Sequence, residues 1–305
     1  MDNQLKNWGI FLLLSAIWGS SFLFIKIALN DLQPITLVTI RLGLGAIGLC
    51  LIAVLTKRKL PEPRIVILSL LMGITNSAIP FALITWGETT IDSSVASVLN
   101  SSVPLFTLIV AHFFLADERI TWFRSGGLAM GFLGILLIFS KEIGGALFLG
   151  MVSDWLVLRG QLAVVGAAIF YAGSIVAIRR LFMGIDTMIL ATLQIVGAFL
   201  AILPAAILME GPLSLAMSTR SLFALLWLGL LGTCMAYLIF YQLITAWGAT
   251  RSTLVTYVVP VFGVTLGAIV LSEPLDWRLF AGLVLIVGGI ILVNQKPRQT
   301  KASSV

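Results

Sequence analysis

The chain has 305 residues, of which 59% are hydrophobic and only 10% are charged, and its formal net charge is +6. A soluble domain carries about 25% charged residues, so this composition excludes an ordinary soluble protein and indicates a chain embedded in lipid. The basic residues lie between apolar runs, where they predict membrane orientation rather than binding of nucleic acid.

Long apolar runs separated by short polar breaks predict about ten membrane-spanning helices, because one span needs about 20 apolar residues. Strands are not expected, since lipid offers backbone groups no water to bond and long runs do not fit a barrel. In chain order the predicted spans are Trp8–Leu29, Ile35–Thr56, Ile65–Gly87, Ser93–Leu115, Trp122–Ser140, Gly160–Leu181, Thr187–Leu208, Leu222–Ile244, Thr250–Leu271 and Trp277–Asn294.

The distribution of Lys and Arg predicts the orientation of the chain. An even number of spans puts both termini on one side, and 13 of the 19 basic residues fall on that side, against 4 on the other and 2 within spans. The positive-inside rule then places both termini in the cytoplasm. We therefore expect a multi-pass protein of a cell membrane, with a bacterial inner membrane as the favoured location.

Matching motifs indicate an internal repeat, with residues 1–150 forming the first half and residues 151–305 the second. The aligned pairs are Trp18 with Tyr171, Arg41 with Gln194, Pro104 with Pro260, Asp117 with Glu273 and Gly126 with Gly282. Each half holds five predicted spans, and an odd number forces the halves into opposite orientations, as in many secondary transporters. The predicted fold class is an all-α membrane protein with ten transmembrane helices as two inverted five-helix repeats.

The order of these motifs resembles the EamA-type transporters of the drug/metabolite transporter superfamily. The matching features are Trp-Gly-Ser-Ser at 18–21 ahead of Lys26, Pro34 and Arg41 in the second span, Pro104 before Asp117-Glu118-Arg119, and Pro260 before Glu273. The resemblance implies ten helices, a central substrate path lined by helices 1, 3, 4, 6, 8 and 9, and cytoplasmic termini. Many relatives in this family export amino acids or other small metabolites.

Arg41 is the most informative single candidate for the substrate path. It lies about two turns into the second span, roughly 10 Å deep at 1.5 Å per residue, where a charge costs about 2.5 kcal/mol or more. A functional interpretation is a site for a ligand carboxylate, or a gate. The structural alternative is that Arg41 reaches the outer surface or binds backbone carbonyls of neighbouring helices. Gln194, its repeat counterpart, suits a hydrogen bond between helices.

Aromatic side chains with a polar group form the second set of candidates, because such rings can hold the apolar part of a solute and orient its polar part. The members of this set are Trp18, Tyr171, Tyr237, Tyr241 and Tyr257. Packing or an interfacial belt is the alternative for each of them. Trp18 and Tyr171 are deep enough in their spans to argue against the belt.

Buried amides and hydroxyls form the third set: Asn76, Asn100 and Thr256. Asn100 and Thr256 each precede a helix proline by one turn, and such a proline frees a backbone carbonyl that can line a solute site. The alternative is hydrogen bonding between helices. Both roles stay open.

Carboxylates are absent from the centres of the predicted spans. A buried carboxylate would be the default proton carrier, so coupling to protons or another ion has no residue assigned to it. Glu88, at the outer end of the third span, is expected to be a solvated loop acid. His112, the one histidine of the chain, is expected to be packed or interfacial rather than a proton relay.

The sequence has no nucleotide-binding loop, metal-ligand cluster or catalytic-triad spacing, so we predict no cofactor, no metal and no enzymatic activity. The predicted function is secondary transport of small metabolites by alternating access, and the resemblance favours export of amino acids. The predicted partners are the substrate and the lipid bilayer. A nucleotide-sugar or organophosphate antiporter and a non-transporting scaffold are the alternatives. Small residues at Gly127 and Gly131 leave monomer and homodimer open.

Overall fold

The computed structural model describes residues 2–116, 118–148, 151–212, 216–247 and 254–294, and the regular secondary structure of these residues is helical throughout. In this part of the chain 9 helices are long and apolar enough to cross a membrane, and Val255–Val270 is a shorter apolar helix. In chain order we name them α1 (Asp2–Ala28), α2 (Pro34–Leu55), α3 (Pro63–Gly87), α4 (Ser93–Phe114), α5 (Trp122–Phe148), α6 (Val152–Leu181), α7 (Thr187–Glu210), α8 (Thr219–Leu226 continued by Trp227–Met235 and Ala236–Trp247), α9 (Val255–Val270) and α10 (Trp277–Asn294). The prediction of an all-helical membrane protein is confirmed.

Three helices extend well beyond the predicted spans. α1 begins at Asp2, α5 continues through Lys141 to Phe148, and α6 begins at Val152, ahead of Arg159. The prediction that Lys141 and Arg159 lie in loops is therefore wrong. Apolar composition marks only the part of a helix that lies in lipid, whereas Lys and Arg favour the helical backbone and let it continue past the lipid.

Three spans are interrupted. α3 contains a π-helical segment at Ile74–Ala78, and α8 contains one at Trp227–Met235. α4 is broken between Asn100 and Val103, next to Pro104, whose nitrogen has no hydrogen to donate. The π segments lie in the third span of each predicted half. Such segments re-aim side chains and are frequent at functional sites.

Helix packing joins the two predicted halves. α1 packs against α8 and α9, α6 against α3 and α4, α2 against α7 and α8, α3 against α7, α4 against α9, and α5 against α10. At the last interface the backbone of Gly127 lies so close to the Gly289 carbonyl that a side chain would not fit. The small-residue spacing on α5 therefore serves packing within the chain.

The buried apolar core lies between these helices. Leu14 of α1, Leu99 of α4, Leu228 of α8 and Ile286 of α10 are fully buried in one cluster. Large apolar side chains also cover the outside of the bundle. On a soluble protein such an apolar surface would promote aggregation, whereas on this bundle it matches the hydrocarbon of a bilayer.

The loops divide between the two ends of the bundle. We call the end of the bundle at which α1, α3, α5, α7 and α9 finish the odd-loop end. There Glu273, which follows α9, accepts a hydrogen bond from the amide of Ser93 at the start of α4. We call the opposite end, at which α2, α4, α6 and α8 finish, the even-loop end, and there Arg58 after α2 pairs with Asp186 before α7. These contacts agree with the prediction that successive spans cross the bundle in opposite directions.

Candidate functional site

Arg41 of α2 is enclosed by three helices. Its side chain is only 5% exposed, and its Nε donates to Thr233 Oγ1 of α8 at 3.3 Å. Its Cζ lies 4.1 Å from the ring centroid of Phe81 on α3. Thr233 belongs to the π segment of α8, in which its hydroxyl donates to the Leu228 carbonyl at 2.9 Å. The side chain does not reach the surface, so this part of the structural alternative is wrong.

Further polar groups surround the Arg41 guanidinium. The Tyr171 and Tyr237 hydroxyls and the Glu88 carboxyl lie within electrostatic range of it. Within the described ranges, however, no carboxylate forms an ion pair with Arg41. A guanidinium carries five N–H donors, and this arrangement suits binding of an anionic group. The structure thus gathers Arg41, Tyr171 and Tyr237, predicted from three different spans, around one place.

A second polar contact joins α3 to α7. Asn76, in the π segment of α3, donates through Nδ2 to Gln194 Oε1 at 2.8 Å. Gln194 is 3% exposed, and its Nε2 is buried without a hydrogen-bond partner among the described residues. Gly73 packs directly on the Gln194 carbonyl, so a side chain at this glycine would push the helices apart. Asn76 and Gln194 therefore form a bond between helices and leave one buried donor unused.

The aromatic candidates are distributed over the bundle. Trp18 is half-buried and packs against Phe240 of α8, with ring centroids 5.3 Å apart. The Tyr257 hydroxyl accepts a hydrogen bond of 2.6 Å from Asn294 Nδ2, at the last residue of α10. Tyr257 therefore lies towards the even-loop end, and the structure does not bring it to Arg41. The side chain of Tyr241 lies outside the described residues.

The remaining polar candidates lie on broken or proline-containing helices. Asn100 ends the first segment of α4, and its Oδ1 is buried with no hydrogen-bond partner among the described residues. Thr256 is half-buried at the start of α9. His112 accepts a hydrogen bond of 3.2 Å from the Ile120 amide and is therefore engaged at the even-loop end. Of these residues, Asn100 offers an unused polar atom to the interior.

Glu88 is not the solvated acid that its sequence position predicted. It is 0% exposed, and both of its carboxylate oxygens are buried without a hydrogen-bond partner in the described part of the chain. Lys26 of α1 reaches across this corner, where its Nζ donates to the carbonyls of Glu88 and Ile91 at 2.7 Å each. The polar residues that flank Glu88 predicted a loop. The groups next to it come from α1 and, through Gly160 against Gly87, from α6, and local sequence does not reveal these contacts.

Glu273, in the α9–α10 loop, holds the N-terminus of α4. It is 9% exposed, and its Oε1 accepts from the Ser93 amide at 2.8 Å. Its Oε2 accepts from the Ser94 amide at 3.0 Å and from the Ser94 hydroxyl at 2.7 Å. A carboxylate in this position satisfies the open N–H groups of the helix and complements its dipole. The sequence analysis missed this contact, because the partners are 180 residues apart.

Two further carboxylates act in the same way at the odd-loop end. Glu210, the last residue of α7, accepts from the Ile35 amide at 2.9 Å and from the Thr36 amide at 2.7 Å, at the start of α2. Asp31, after α1, accepts from the Ser218 amide at 2.8 Å, directly before α8. Each of these bonds crosses between the predicted halves. Together with Glu273 they close this end of the bundle.

The charged groups of the described residues do not form a metal site, since no cluster of three or more His, Cys, Asp or Glu side chains occurs among them. The polar groups near one another here are instead the Arg41 guanidinium, two tyrosine hydroxyls and one carboxyl. Such groups bind small organic solutes by hydrogen bonds and charge. The geometry therefore favours a solute-binding site.

Comparisons with known proteins point to membrane transport. The EamA-like transporter family matches residues 7–140 and 158–295. The chain is 27% identical to the transporter YoaV of Bacillus subtilis (strain 168), over 90% of this chain and 92% of YoaV. It is 26% identical to the inner membrane transporter YedA of Escherichia coli (strain K12), over 95% of this chain and 91% of YedA.

A more distant relative and a solved structure extend this result. The chain is 23% identical to a Salmonella typhimurium protein named a probable amino-acid metabolite efflux pump, over 94% of each chain. A solved structure titled only as the crystal structure of a protein matches with a TM-score of 0.65 and 18% identity, over 95% of this chain and 96% of that chain. At this identity the structural match concerns the fold alone.

Proposed function

The chain belongs to the EamA-like transporter family, and from that membership we infer that it is a secondary transporter that exports amino acids or closely related carboxylates. The relatives are named as transporters, one of them as a probable amino-acid metabolite efflux pump. Arg41 would hold the carboxylate of the solute. The protein would lie in the cytoplasmic membrane with both termini inside, as the basic residues predict.

The observation that carries this proposal is the buried Arg41 guanidinium without an ion-pair partner among the described residues. Burial of an uncompensated charge within a span costs about 2.5 kcal/mol or more. A solute carboxylate would offset this cost, because guanidinium and carboxylate form two parallel charge-assisted hydrogen bonds. The rings of Phe81, Tyr171 and Tyr237 would contact the apolar part of the solute.

The organophosphate alternative is less well supported. A phosphate site needs several buried basic groups, and the sequence placed only Lys26 and Arg41 within spans. The Lys26 ammonium already donates to the carbonyls of Glu88 and Ile91. Only Arg41 of this pair is then available to an anion, which suits one carboxylate better than a phosphate.

We propose alternating access by two inverted halves, residues 1–150 and 151–305. If the halves are related, each helix corresponds to the helix five places away, so α1 corresponds to α6 and α8 to α3. The pairs α1–α8, α1–α9 and α2–α8 then correspond to α6–α3, α6–α4 and α7–α3. All six pairs are in contact. The pairs α2–α7, α4–α9 and α5–α10 map onto themselves. The π segments of α3 and α8 also correspond. These correspondences support a pseudo-two-fold relation, around which the halves would rock.

The function is tested by transport in proteoliposomes with a panel of radiolabelled amino acids. The Arg41→Ala variant should lose roughly 30-fold or more in substrate affinity, because a buried hydrogen-bonded charge pair contributes about 2 kcal/mol or more. Arg41→Lys should recover only part of it, since Lys cannot form the paired hydrogen bonds. The control is Arg64→Ala, which removes an exposed arginine from the start of α3 and should leave transport unchanged.

Two outcomes would contradict the proposal. If the wild-type protein moves none of the amino acids, the assigned substrate class is wrong. If it moves them and Arg41→Ala, correctly folded, retains both affinity and rate, the substrate carboxylate binds elsewhere.

A further inference from the structure

One buried acidic group near Arg41 has been given no role in binding of the solute. Glu88 is fully buried, and neither of its carboxylate oxygens has a hydrogen-bond partner in the described ranges. We propose that Glu88 binds in turn a proton and the ammonium group of a zwitterionic amino acid whose carboxylate is held by Arg41, so that the protein exchanges amino acids for protons. This inference rests on the function proposed above and specifies its substrate and its coupling ion.

The two charged groups do not neutralise each other by direct contact, which leaves both open to a zwitterion. Arg41 and Glu88 interact electrostatically, yet they form no ion pair, so their charged atoms are more than 4.0 Å apart. An α-amino acid carries its ammonium and carboxylate groups on the same carbon atom. It can therefore lie between the guanidinium and the carboxylate and satisfy both. A solute with a carboxylate alone would satisfy only Arg41.

Groups from every neighbouring element influence Glu88. Lys26 of α1, Arg41 of α2 and Glu273 of the α9–α10 loop lie within electrostatic range. Asp92 follows on the same loop and lies near Lys26 and Glu273. α6 contacts the end of α3 through Gly160 against Gly87, neither of which carries a charged side chain. Two cations and one other carboxylate, that of Glu273, therefore influence the charge of Glu88.

Glu88 follows the last residue of its span, and burial raises the pKa of its carboxyl well above the ordinary value of 4.5. The Lys26 ammonium opposes this shift, the Glu273 carboxylate adds to it, and the Arg41 guanidinium opposes it. The carboxyl consequently keeps its proton at a pH at which an exposed glutamate is ionised. A nearby substrate ammonium favours the carboxylate instead, so binding of the amino acid releases the proton to water.

The surroundings of Glu88 also connect its charge to the closure of the odd-loop end. An empty, ionised Glu88 would draw the Lys26 ammonium away from the Glu88 and Ile91 carbonyls that it now bonds. It would also repel the Glu273 carboxylate, which holds the start of α4. Closure thus requires a neutralised Glu88, with either a proton or an ammonium group bound. A carrier that closes only with a proton or with an amino acid bound exchanges protons for amino acids.

The first experiment measures binding of radiolabelled leucine to the purified protein as a function of pH. In the wild type, protons compete with the leucine ammonium, so affinity should fall by roughly tenfold per pH unit below the pKa of Glu88. Glu88→Gln should bind leucine weakly and without this pH dependence. 4-Methylpentanoate, which is leucine without its amino group, should bind both proteins equally and independently of Glu88.

Matched variants make this result specific. Glu62→Gln, at an exposed position just before α3, makes the same chemical change away from the site and should behave like the wild type. Glu88→Asp retains a carboxyl, so it should keep the competition with a shifted midpoint even if the Gln variant folds poorly. Persistence of the pH-dependent leucine affinity in Glu88→Gln would overturn the proposal.

A second measurement needs no substrate and separates this inference from the proposed function. Infrared difference spectra recorded above the pH range in which exposed carboxylates titrate should show the C=O band of a carboxyl that is still protonated. This band should be weaker in Glu88→Gln and unchanged in Glu62→Gln. If no amino acid binds but this band depends on Glu88, the substrate class is wrong and the proton site stands. If the band is unchanged in Glu88→Gln, the proton site is wrong whatever the protein transports.

Discussion

The two ends of the bundle hold the predicted halves together by different kinds of contact. At the odd-loop end, carboxylates of one half accept hydrogen bonds from helix N-termini of the other: Glu273 from α4, Glu210 from α2 and Asp31 from α8. Hydrogen bonds of this type, with one charged partner, contribute about 1.5–3 kcal/mol when they are buried. Directional hydrogen bonds therefore join the halves at the odd-loop end, and the buried ones among them are shielded from water.

Among the described residues, exposed ion pairs join the halves at the even-loop end. Arg58 Nη1 lies 2.6 Å from Asp186 Oδ2, and the two side chains are 45% and 38% exposed. Arg179 Nη1 lies 3.2 Å from Glu118 Oε1, again with partly exposed side chains. Exposed pairs contribute only about 0–1 kcal/mol. From these described contacts we expect the even-loop end to open at a lower cost in free energy than the odd-loop end.

This asymmetry gives the proposed binding site its role. Arg41 lies two turns from the odd-loop end, and Glu88 lies within that end. The charges of a bound solute or proton would act directly on the odd-loop end, which is held more firmly. The even-loop end would need less free energy to open. Solute and proton would therefore supply the free energy at the end where the structure shows the strongest contacts.

Loss of the Glu273 carboxylate should have the largest effect of the contacts that close the bundle. Glu273→Ala leaves the amides of Ser93 and Ser94 without their acceptor, and we expect the free energy of unfolding to fall by about 3 kcal/mol. The start of α4 should separate from the α9–α10 loop. Thermal unfolding in detergent measures the first effect.

Opening of the odd-loop end can be measured separately. Ile91 is 3% exposed, so a cysteine at Ile91→Cys should resist an impermeant maleimide in the wild-type background and react in Glu273→Ala. The native Cys50 and Cys234 would be replaced by Ala in both proteins. Continued protection of Ile91→Cys in the Glu273→Ala variant would show that Glu273 does not close this end.

The overall fold follows from the sequence because hydropathy and length determine which segments enter lipid. The breaks between spans were predicted in this way, and Pro104 pointed to a disturbed helix near Asn100. Helix ends in water were not, since Lys141 and Arg159 mark the edge of the apolar run and not the end of the helix. Nothing in the composition of Ile74–Ala78 distinguishes a π segment from an α-helix.

The candidate site could be predicted only in part. Arg41 was identified because a charge is costly inside a span, and Tyr171 because a ring with a polar group deep in a span can hold and orient a solute. Thr233, which bonds Arg41 from 192 residues away, is one threonine among many in apolar runs. Glu88 was misjudged because the groups next to it belong to α1 and α6, which are distant in sequence. The local sequence shows that a polar group is costly to bury, but it does not show which distant residue contacts that group.

Asp31 should have an intermediate effect that depends on pH. Hydrogen bonds from the Ser218 and Ser221 hydroxyls and from the Ser218 amide lower the pKa of Asp31 below its ordinary value of 3.8. A carboxyl whose pKa is lower in the folded state contributes stability above its unfolded pKa and loses it as the pH falls through the folded pKa. Asp31→Asn should therefore unfold at a lower temperature than the wild type at neutral pH.

The difference between these two proteins should disappear well below the ordinary pKa of 3.8, where Asp31 is protonated and resembles asparagine. Thermal unfolding in detergent across this range measures it. A difference that stays constant into strong acid would mean that the Asp31 charge plays no part in holding α8.

Arg58→Ala should have the smallest effect, because its ion pair with Asp186 is exposed to water and ions. We expect the free energy of unfolding to change by at most about 1 kcal/mol, and high salt should reduce even this difference by screening. Arg58 is the better partner to replace, since Asp186 also accepts from the Met188 and Ile189 amides at the start of α7. If Arg58→Ala destabilised the protein as much as Glu273→Ala, the even-loop end would be closed as firmly as the odd-loop end. Alternating access would then have to overcome similar barriers at both ends, and the position of Arg41 and Glu88 near one of them would lose its significance.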